Sequence, residues 1–293
     1  MHLTETSTTA ANTAHQHVFV DGVDTFSTFL GEIDKLIWMA PGSHTIQITA
    51  MDKAGAQSSL SFPVTVVPPQ APSVGDLQSL PNWEGCSAVF PPGTPRAGQL
   101  CAAGNGEAFS TMTPNQANPS MDGKSTLFNI NGPNKYTNFL WYLPLGGGSN
   151  VTKFTYDVFF MVDNGLAPQA LEFDLNQTFN GTRWTWGTEC NFNGSHAWDI
   201  WNGGIEKWMP TNVPCTPFPS MTWIHLVWNF ERVGNQMHYI SISINGVVTP
   251  VDVFLPAQPN WPIEDINVAF QMDMNANHVP YNVWLDKLRL TAQ

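Results

Sequence analysis

Basic residues are scarce. The 293-residue chain has 11 Lys and Arg against 23 Asp and Glu, a formal net charge of −12. A surface so poor in cations argues against binding nucleic acid or an anionic membrane. Long apolar runs are also missing. None approaches the roughly 20 residues of a membrane helix, so membrane insertion is not expected. Charged residues are only 12% of the chain while 42% are hydrophobic. That balance argues against intrinsic disorder. Helical periodicity is nearly absent, with residues 32–39 the one weak candidate, so a helical bundle is disfavoured. No Gly-x-Ser-x-Gly elbow exists for an α/β-type serine hydrolase. Gly146-Gly147-Gly148-Ser149 lacks the Lys of a phosphate loop and reads as a turn.

Cysteine is limited to Cys86, Cys101, Cys190 and Cys215. There is no CxxC and no His at zinc-like spacing, so a structural zinc is not expected. An even count in an acidic, Lys-poor chain suits two disulfides in a secreted or cell-surface protein. Spacing favours Cys86–Cys101 and Cys190–Cys215, among the three connectivities that four cysteines allow. Four buried thiols in a reducing compartment are the alternative. Met1-His2-Leu3-Thr4-Glu5 lacks the basic start and apolar stretch of a secretory leader, and the expectation is that Met1 is not the native start.

What is abundant points one way. Gly and Pro number 23 each, with 18 Phe and 12 Trp. Turn-formers mixed with aromatics suit many short strands. The length suggests two domains. In residues 1–68, short alternating strands are separated by turns such as Asp21-Gly22 and 52–55, the pattern of a β-sandwich. The Val20-Asp21-Gly22 turn, the Pro41-Gly42-Ser43-His44 run and the Ala50-x-Asp52-x-x-Gly55 run resemble the bacterial immunoglobulin-like modules of secreted proteins. That resemblance implies a spacer or adhesive unit, its first strand degenerate or truncated. Residues 69–78 read as a Pro-rich linker.

Residues 79–293 carry clearer strands, at 154–162, 170–176, 183–190, 223–231, 239–244, 266–274 and 283–290. Asn245-Gly246 is the strongest hairpin signal. Ala170-Leu171-Glu172-Phe173-Asp174, the Ser243-Ile244-Asn245-Gly246 hairpin and the closing Val283-Trp284-Leu285-Asp286-Lys287-Leu288-Arg289-Leu290 resemble the concanavalin A-like lectin/glucanase superfamily. The fold this implies is a two-sheet jelly roll, so the expected class is all-β: an immunoglobulin-like sandwich followed by a jelly-roll sandwich.

Alternation locates a candidate site. Along 170–176, Leu171, Phe173 and Leu175 share one face, and Glu172, Asp174 and Asn176 the other. Along 266–275, Ile266, Val268, Phe270, Met272 and Met274 oppose Asn267, Ala269, Gln271, Asp273 and Asn275. If both strands share a sheet, Glu172, Asp174, Gln271 and Asp273 line one groove. Ordinary solvent-facing polar residues are the plainer reading. Trp184, Trp186, Trp198, Trp201 and Trp208 lie nearby in sequence, and indole faces suit a sugar's C–H face. Trp184 and Trp186 share a face, so both line the groove or both are buried. His225 joins this ligand set, against the plainer reading of a hydrogen-bonded sheet histidine.

Three functions compete. The first is non-catalytic glycan binding through Asn176, Gln271, His225 and the tryptophans. The second is a retaining glycoside hydrolase. The resemblance implies Glu172 as nucleophile and Asp174 as assistant, but the acid/base position is Asn176 or Gln177. Asp273 or Glu189 would have to substitute, about 5–5.5 Å from Glu172. The third is an adhesive or structural protein. Legume-type lectins open their metal site with a similar Glu-x-Asp strand, which makes calcium the ion Glu172 and Asp174 would begin to hold, with Asp199 and His196 the nearest further candidates. Binding is preferred to hydrolysis because the acid/base position is an amide. The expectation is therefore an extracellular polysaccharide-engaging protein with no obligatory cofactor, its catalytic and oligomeric status open.

Overall fold

The computed structural model describes residues 2–6, 12–29, 31–37, 39, 42–66, 73–87, 108–147, 150–259 and 264–293. Among them there is no α-helix. The first six strands are β1 (His2–Thr6), β2 (Thr13–Val20), β3 (Val23–Thr28), β4 (Glu32–Leu36), β5 (Gly42–Asp52) and β6 (Gln57–Val66). They form a two-stranded sheet, β1–β4, and a four-stranded sheet in the order β3–β2–β5–β6. Leu3, Val18, Ile33, Ile37, Met39, Ile46 and Ile48 make their common core. Asp21 and Gly22, which join β2 to β3, both have positive φ, 53° and 81°. A type I′ hairpin turn requires this of its two central residues. The helical expectation over 32–39 is corrected here. Ile33 and Ile37 are four apart, a spacing that satisfies a helix face and a strand face alike. Antiparallel pairing with β1 decides for the strand.

The remaining strands are β7 (Ser73–Val74), β8 (Glu84–Ser87), β9 (Phe109–Gln116), β10 (Ser125–Asn131), β11 (Asn138–Gly146), β12 (Lys153–Val162), β13 (Pro168–Phe179), β14 (Thr182–Trp186), β15 (Thr188–Asn191), β16 (Ala197–Asn202), β17 (Lys207–Pro214), β18 (Ile224–Val233), β19 (Gln236–Ile244), β20 (Val247–Pro256), β21 (Gln258–Pro259), β22 (Asp265–Met274) and β23 (Tyr281–Ala292). One sheet runs β20–β19–β18–β12–β23–β10–β9, with β7 on β23. The other runs β17–β16–β15–β13–β22–β11–β8, with β14 on β13 and β21 on β14. The all-β sandwich expected from the sequence is the architecture observed.

The inward faces of these two sheets meet in one aromatic core. Phe173 of β13 sits near its middle. Its ring lies 5.0 Å from Phe160 and 5.4 Å from Phe270, centroid to centroid, with Trp198 and Tyr156 slightly farther. Offset and edge contacts of this kind add about 0.5–1.5 kcal/mol each beyond burial. The packed chain begins inside the segment read as linker. Ser73 and Val74 pair with β23, and Leu77 and Gln78 are fully buried. Gln78 donates from Nε2 to the Lys124 carbonyl (3.1 Å) and accepts at Oε1 from the Leu288 amide (2.8 Å).

Phe173→Ala should leave a cavity directly behind the polar face of β13 and cost about 3–5 kcal/mol of stability. Urea unfolding followed by tryptophan fluorescence measures this. A loss below about 1 kcal/mol would mean that the two sheets do not depend on this contact.

Candidate functional site

The antiparallel register of β13 and β22 decides which side chains meet. Glu172 lies opposite Gln271, Ala170 opposite Asp273, Asp174 opposite Ala269 and Asn176 opposite Asn267. Leu171, Phe173 and Leu175 fall in the core with Val268, Phe270 and Met272. Strand alternation therefore turns Glu172, Asp174, Asn176, Gln271 and Asp273 to the sheet's other face. On the far side of β13, β15 sets Glu189 opposite Glu172, and β16 sets Asp199 opposite Glu189. Gln271, Glu172, Glu189 and Asp199 thus form a row across four neighbouring strands. Glu172, Glu189 and Asp273 each bring a carboxyl oxygen within 4.8 Å of the others.

Like charges placed abreast repel, and burial sharpens the effect. Glu172 and Glu189 are 7% and 4% exposed. Hydrogen bonds relieve part of the cost. Gln271 Nε2 donates to Glu172 Oε1 and, at 2.9 Å, to Asp273 Oδ1. Asn191 Nδ2 bridges Glu189 (3.1 Å) and Asp199 (3.2 Å). Ser195 Oγ donates to Asp199 at 2.6 Å. The Thr188 amide donates to Asp174 at 2.9 Å. Buried Arg183 is the nearby cation. Its Nη2 donates to Asn176 Oδ1 at 2.7 Å, and its charge favours ionised Asp174.

Retained protons relieve the rest. Burial, then the charges of Asp273, Asp174 and Glu189, hold the Glu172 carboxyl well above the usual carboxylate range. Burial pushes Glu189 up to about 9, with Asp273 and Asp199 adding to it. Burial also raises Asp273 and Asp174 to about 7, against the bonds from Gln271 and the Thr188 amide respectively. With their carboxyl oxygens within 4.8 Å, a proton held on Glu172 favours the ionised form of Asp273. The cluster therefore holds an acid and a carboxylate side by side near neutral pH.

The aromatics are placed differently from expectation. Trp184, Trp186 and Trp198 are core residues, which removes them from the ligand set. Trp186 packs on Phe154 and Phe230, and Trp198 on Phe173 and Trp228. Trp184 and Trp186 do share a face, and it is the buried one. Trp201 and Trp208 are register partners on β16 and β17, only half-buried, with rings edge to face at 5.2 Å. Alternation from buried Trp198 and Ile200 puts Trp201 on the face of Asp199. Both indoles pack over Gly187, where a Cβ would come within 2.7 Å of the Trp201 Cβ. Gly187 also divides the strand expected over 183–190 into β14 and β15.

His225 is not part of this face. It lies on β18 of the opposite sheet, stacked on Phe159 at 4.1 Å and bonded to Asp157 at 2.8 Å. Its β18 neighbours Ile224 and Leu226 fill the core, so His225 points away from it. Cys190 and Cys215 are disulfide-bonded with Cα atoms 5.7 Å apart, tying β15 to the chain after β17. The expected Cys86–Cys101 pair lies outside the described residues. Among the described residues, the acids that group closely enough to share a cation are Glu172, Glu189 and Asp273, so the group includes Glu172 of the expected pair and not Asp174. As built they fit calcium poorly. With one oxygen from each, three carboxyls fill only half of a shell of six oxygens. The Gln271 amide already donates to two of them.

No protein-family profile matches the chain, and no curated protein matches it. Solved structures do. One, described as the structural basis for the promiscuous specificity of carbohydrate-binding modules from the beta-sandwich superfamily, is 11% identical with a TM-score of 0.39, covering 98% of this chain and 95% of its own. The Emp47p carbohydrate recognition domain is 11% identical with a TM-score of 0.42, covering 76% of this chain and 97% of its own. Lectin UEA-II complexed with galactose is 12% identical with a TM-score of 0.38, covering 63% and 98%. No residue role is carried across at these values.

The raised carboxyls set the sign of a pH effect. Unfolded, these groups release their protons near pH 4. Folded, they retain them toward pH 7 and 9. The folded state binds more protons across that window, so the cluster's contribution to stability falls as pH rises through it. Thermal unfolding should give a lower Tm at about pH 9 than at about pH 5.5, and Glu189→Gln should narrow the gap. A variant whose Tm difference equals the wild type's would contradict the buried protons.

Proposed function

We propose that the protein binds polysaccharide on the acid-lined face of its second sandwich. The observation that carries this reading is the row Gln271–Glu172–Glu189–Asp199 with Asp273 beside it, flanked by the half-exposed Trp201–Trp208 pair. Sugar hydroxyls need donors and acceptors held at fixed spacing, and the row supplies protonated carboxyls, a carboxylate and amides. A sugar's C–H face needs an indole beside them. Asn176 and Arg183 extend the same face. The N-terminal strands serve in this reading as an immunoglobulin-like spacer. The Cys190–Cys215 bond supports residence in an oxidising compartment, outside the cytosol.

A second reading, hydrolysis, is favoured by one contact. Asp273, opposite Ala170 on a different strand, brings a carboxyl oxygen within 4.8 Å of one on Glu172, so a second carboxyl stands beside Glu172, on the side away from the amides Asn176 and Gln177. Retaining glycosidases work with two carboxyls about 5–5.5 Å apart, one protonated and one ionised. Environments that push two carboxyls apart in pKa assign such roles. Here Glu172 and Glu189 hold their protons, which suits an acid. Asp273 releases its proton first, which suits a nucleophile. That exchanges the roles which the resemblance implied for Glu172.

Retention on insoluble β-glucans, xylans and mannans, assayed together with reducing-sugar release, separates the two. Trp201→Ala should weaken retention about tenfold, or ~1.4 kcal/mol. Glu172→Gln should leave retention within about threefold. Sugar release that is lost in both Glu172→Gln and Asp273→Asn would establish hydrolysis. Neither retention nor release on any of these polymers would overturn both readings.

A further inference from the structure

The N-terminal sandwich carries a group of side chains that the glycan reading does not use. His15 and His17 are two apart on β2, flanking Gln16, which is buried on the core side together with Val18. Alternation turns both imidazoles to the opposite, solvent-facing side of the four-stranded sheet, where each is half-buried. His17 Nε2 lies 3.0 Å from His15 Nδ1. His17 Nδ1 lies 2.6 Å from Asp24 Oδ2. The His15 ring is held against Phe29, centroids 4.7 Å apart and planes within 19°.

This arrangement has the parts of a chelate. A carboxylate on one imidazole nitrogen fixes the tautomer and leaves the other nitrogen's lone pair free for a metal. Asp24 does this for His17: Nδ1–H donates to the carboxylate, and Nε2 faces His15. Two nitrogens bound to one tetrahedral ion at about 2.0–2.1 Å are separated by about 3.3 Å. The present separation of 3.0 Å needs only a few tenths of an ångström of adjustment. In the metal-free protein one proton bridges the two rings. A bound ion would take the bridging position, the proton moving from His15 Nδ1 to His15 Nε2 so that both imidazoles ligate as neutral rings.

We propose that His15 and His17 chelate a divalent first-row transition ion, with Asp24 orienting His17. Imidazole nitrogens select this class, and Cu²⁺ stands above Zn²⁺ in intrinsic affinity. Met51 of β5 is the cross-strand partner of His15, so its side chain arises on the same face. Thr49, the partner of His17, is a small neighbour on the same face.

The test is titration of the full chain with CuCl₂ and separately with ZnCl₂, by calorimetry. Cu²⁺ electron paramagnetic resonance counts the coordinated nitrogens. The wild type should show one tightest equivalent with two imidazole nitrogens. His15→Ala and His17→Ala should each weaken it by about a hundredfold and remove one nitrogen. Asp24→Asn, which keeps both ligands, should weaken it about 10–100-fold with the nitrogen count unchanged. Phe29 is mostly exposed, and Phe29→Ala should leave the nitrogen count at two. A His15→Ala/His17→Ala double variant with unchanged circular dichroism that still binds its tightest equivalent like the wild type would overturn the proposal. So would a wild-type copper spectrum without two coordinated imidazole nitrogens.

Discussion

The pairing of β13 with β22 is the constraint on which the candidate site depends. A shift of one residue would send Glu172 and Asp174 into an aromatic core and bring Phe173 out to water. The core forbids that shift, because Phe173 is held among Phe160, Phe270 and Trp198. The same packing that stabilises the sandwich therefore fixes Glu172 beside Gln271 and next to Asp273. Stability and site geometry are set by opposite faces of the same two strands.

The acid row is an electrostatic liability, and the protein retains it by sharing protons. Glu172, Glu189 and Asp273 could not all ionise at these separations under this much burial. Gln271, Asn191 and Ser195 supply donors, and Arg183 supplies one cation at the side of Asp174. The outcome is a nearly buried row of donors and acceptors at fixed positions in a chain that otherwise carries few charges. The proton-sharing acids present less negative charge than their number implies.

Part of this was legible in the sequence. Period-2 alternation along 170–176 and 266–274 assigned the faces of β13 and β22 correctly, because each strand has large apolar residues on one side only. The Asn245-Gly246 turn was equally plain. Its positive φ pair, 49° and 83°, is what those residue types favour. The tryptophans were not readable in the same way. Along 183–186, Arg183 and Thr185 alternate with Trp184 and Trp186; the pattern alone lets either pair face water, and it is the core between the two sheets that takes the indoles. Glu189 was obscured by the brevity of β15. Cys190 held the missing signal, because its disulfide points inward and so turns Glu189 outward. The break at Gly187 depended on the close passage of Trp201 and Trp208, a contact distant in sequence. His225 is the hydrogen-bonded sheet histidine of the plainer reading, bonded to Asp157; alternation gives its face but not which sheet its strand joins, so its place in the ligand set does not hold.

The measurement that tests the account most directly is a carboxyl ¹³C NMR titration of the full chain, with signals assigned through Glu172→Gln, Glu189→Gln and Asp273→Asn. The expected result is that Glu172 and Glu189 remain protonated at neutral pH and titrate in coupled steps with Asp273. Midpoints for all three near the ordinary value of about 4 would contradict the account, since the row would then be solvated, fully charged and without the acid–carboxylate pairing on which the site is built.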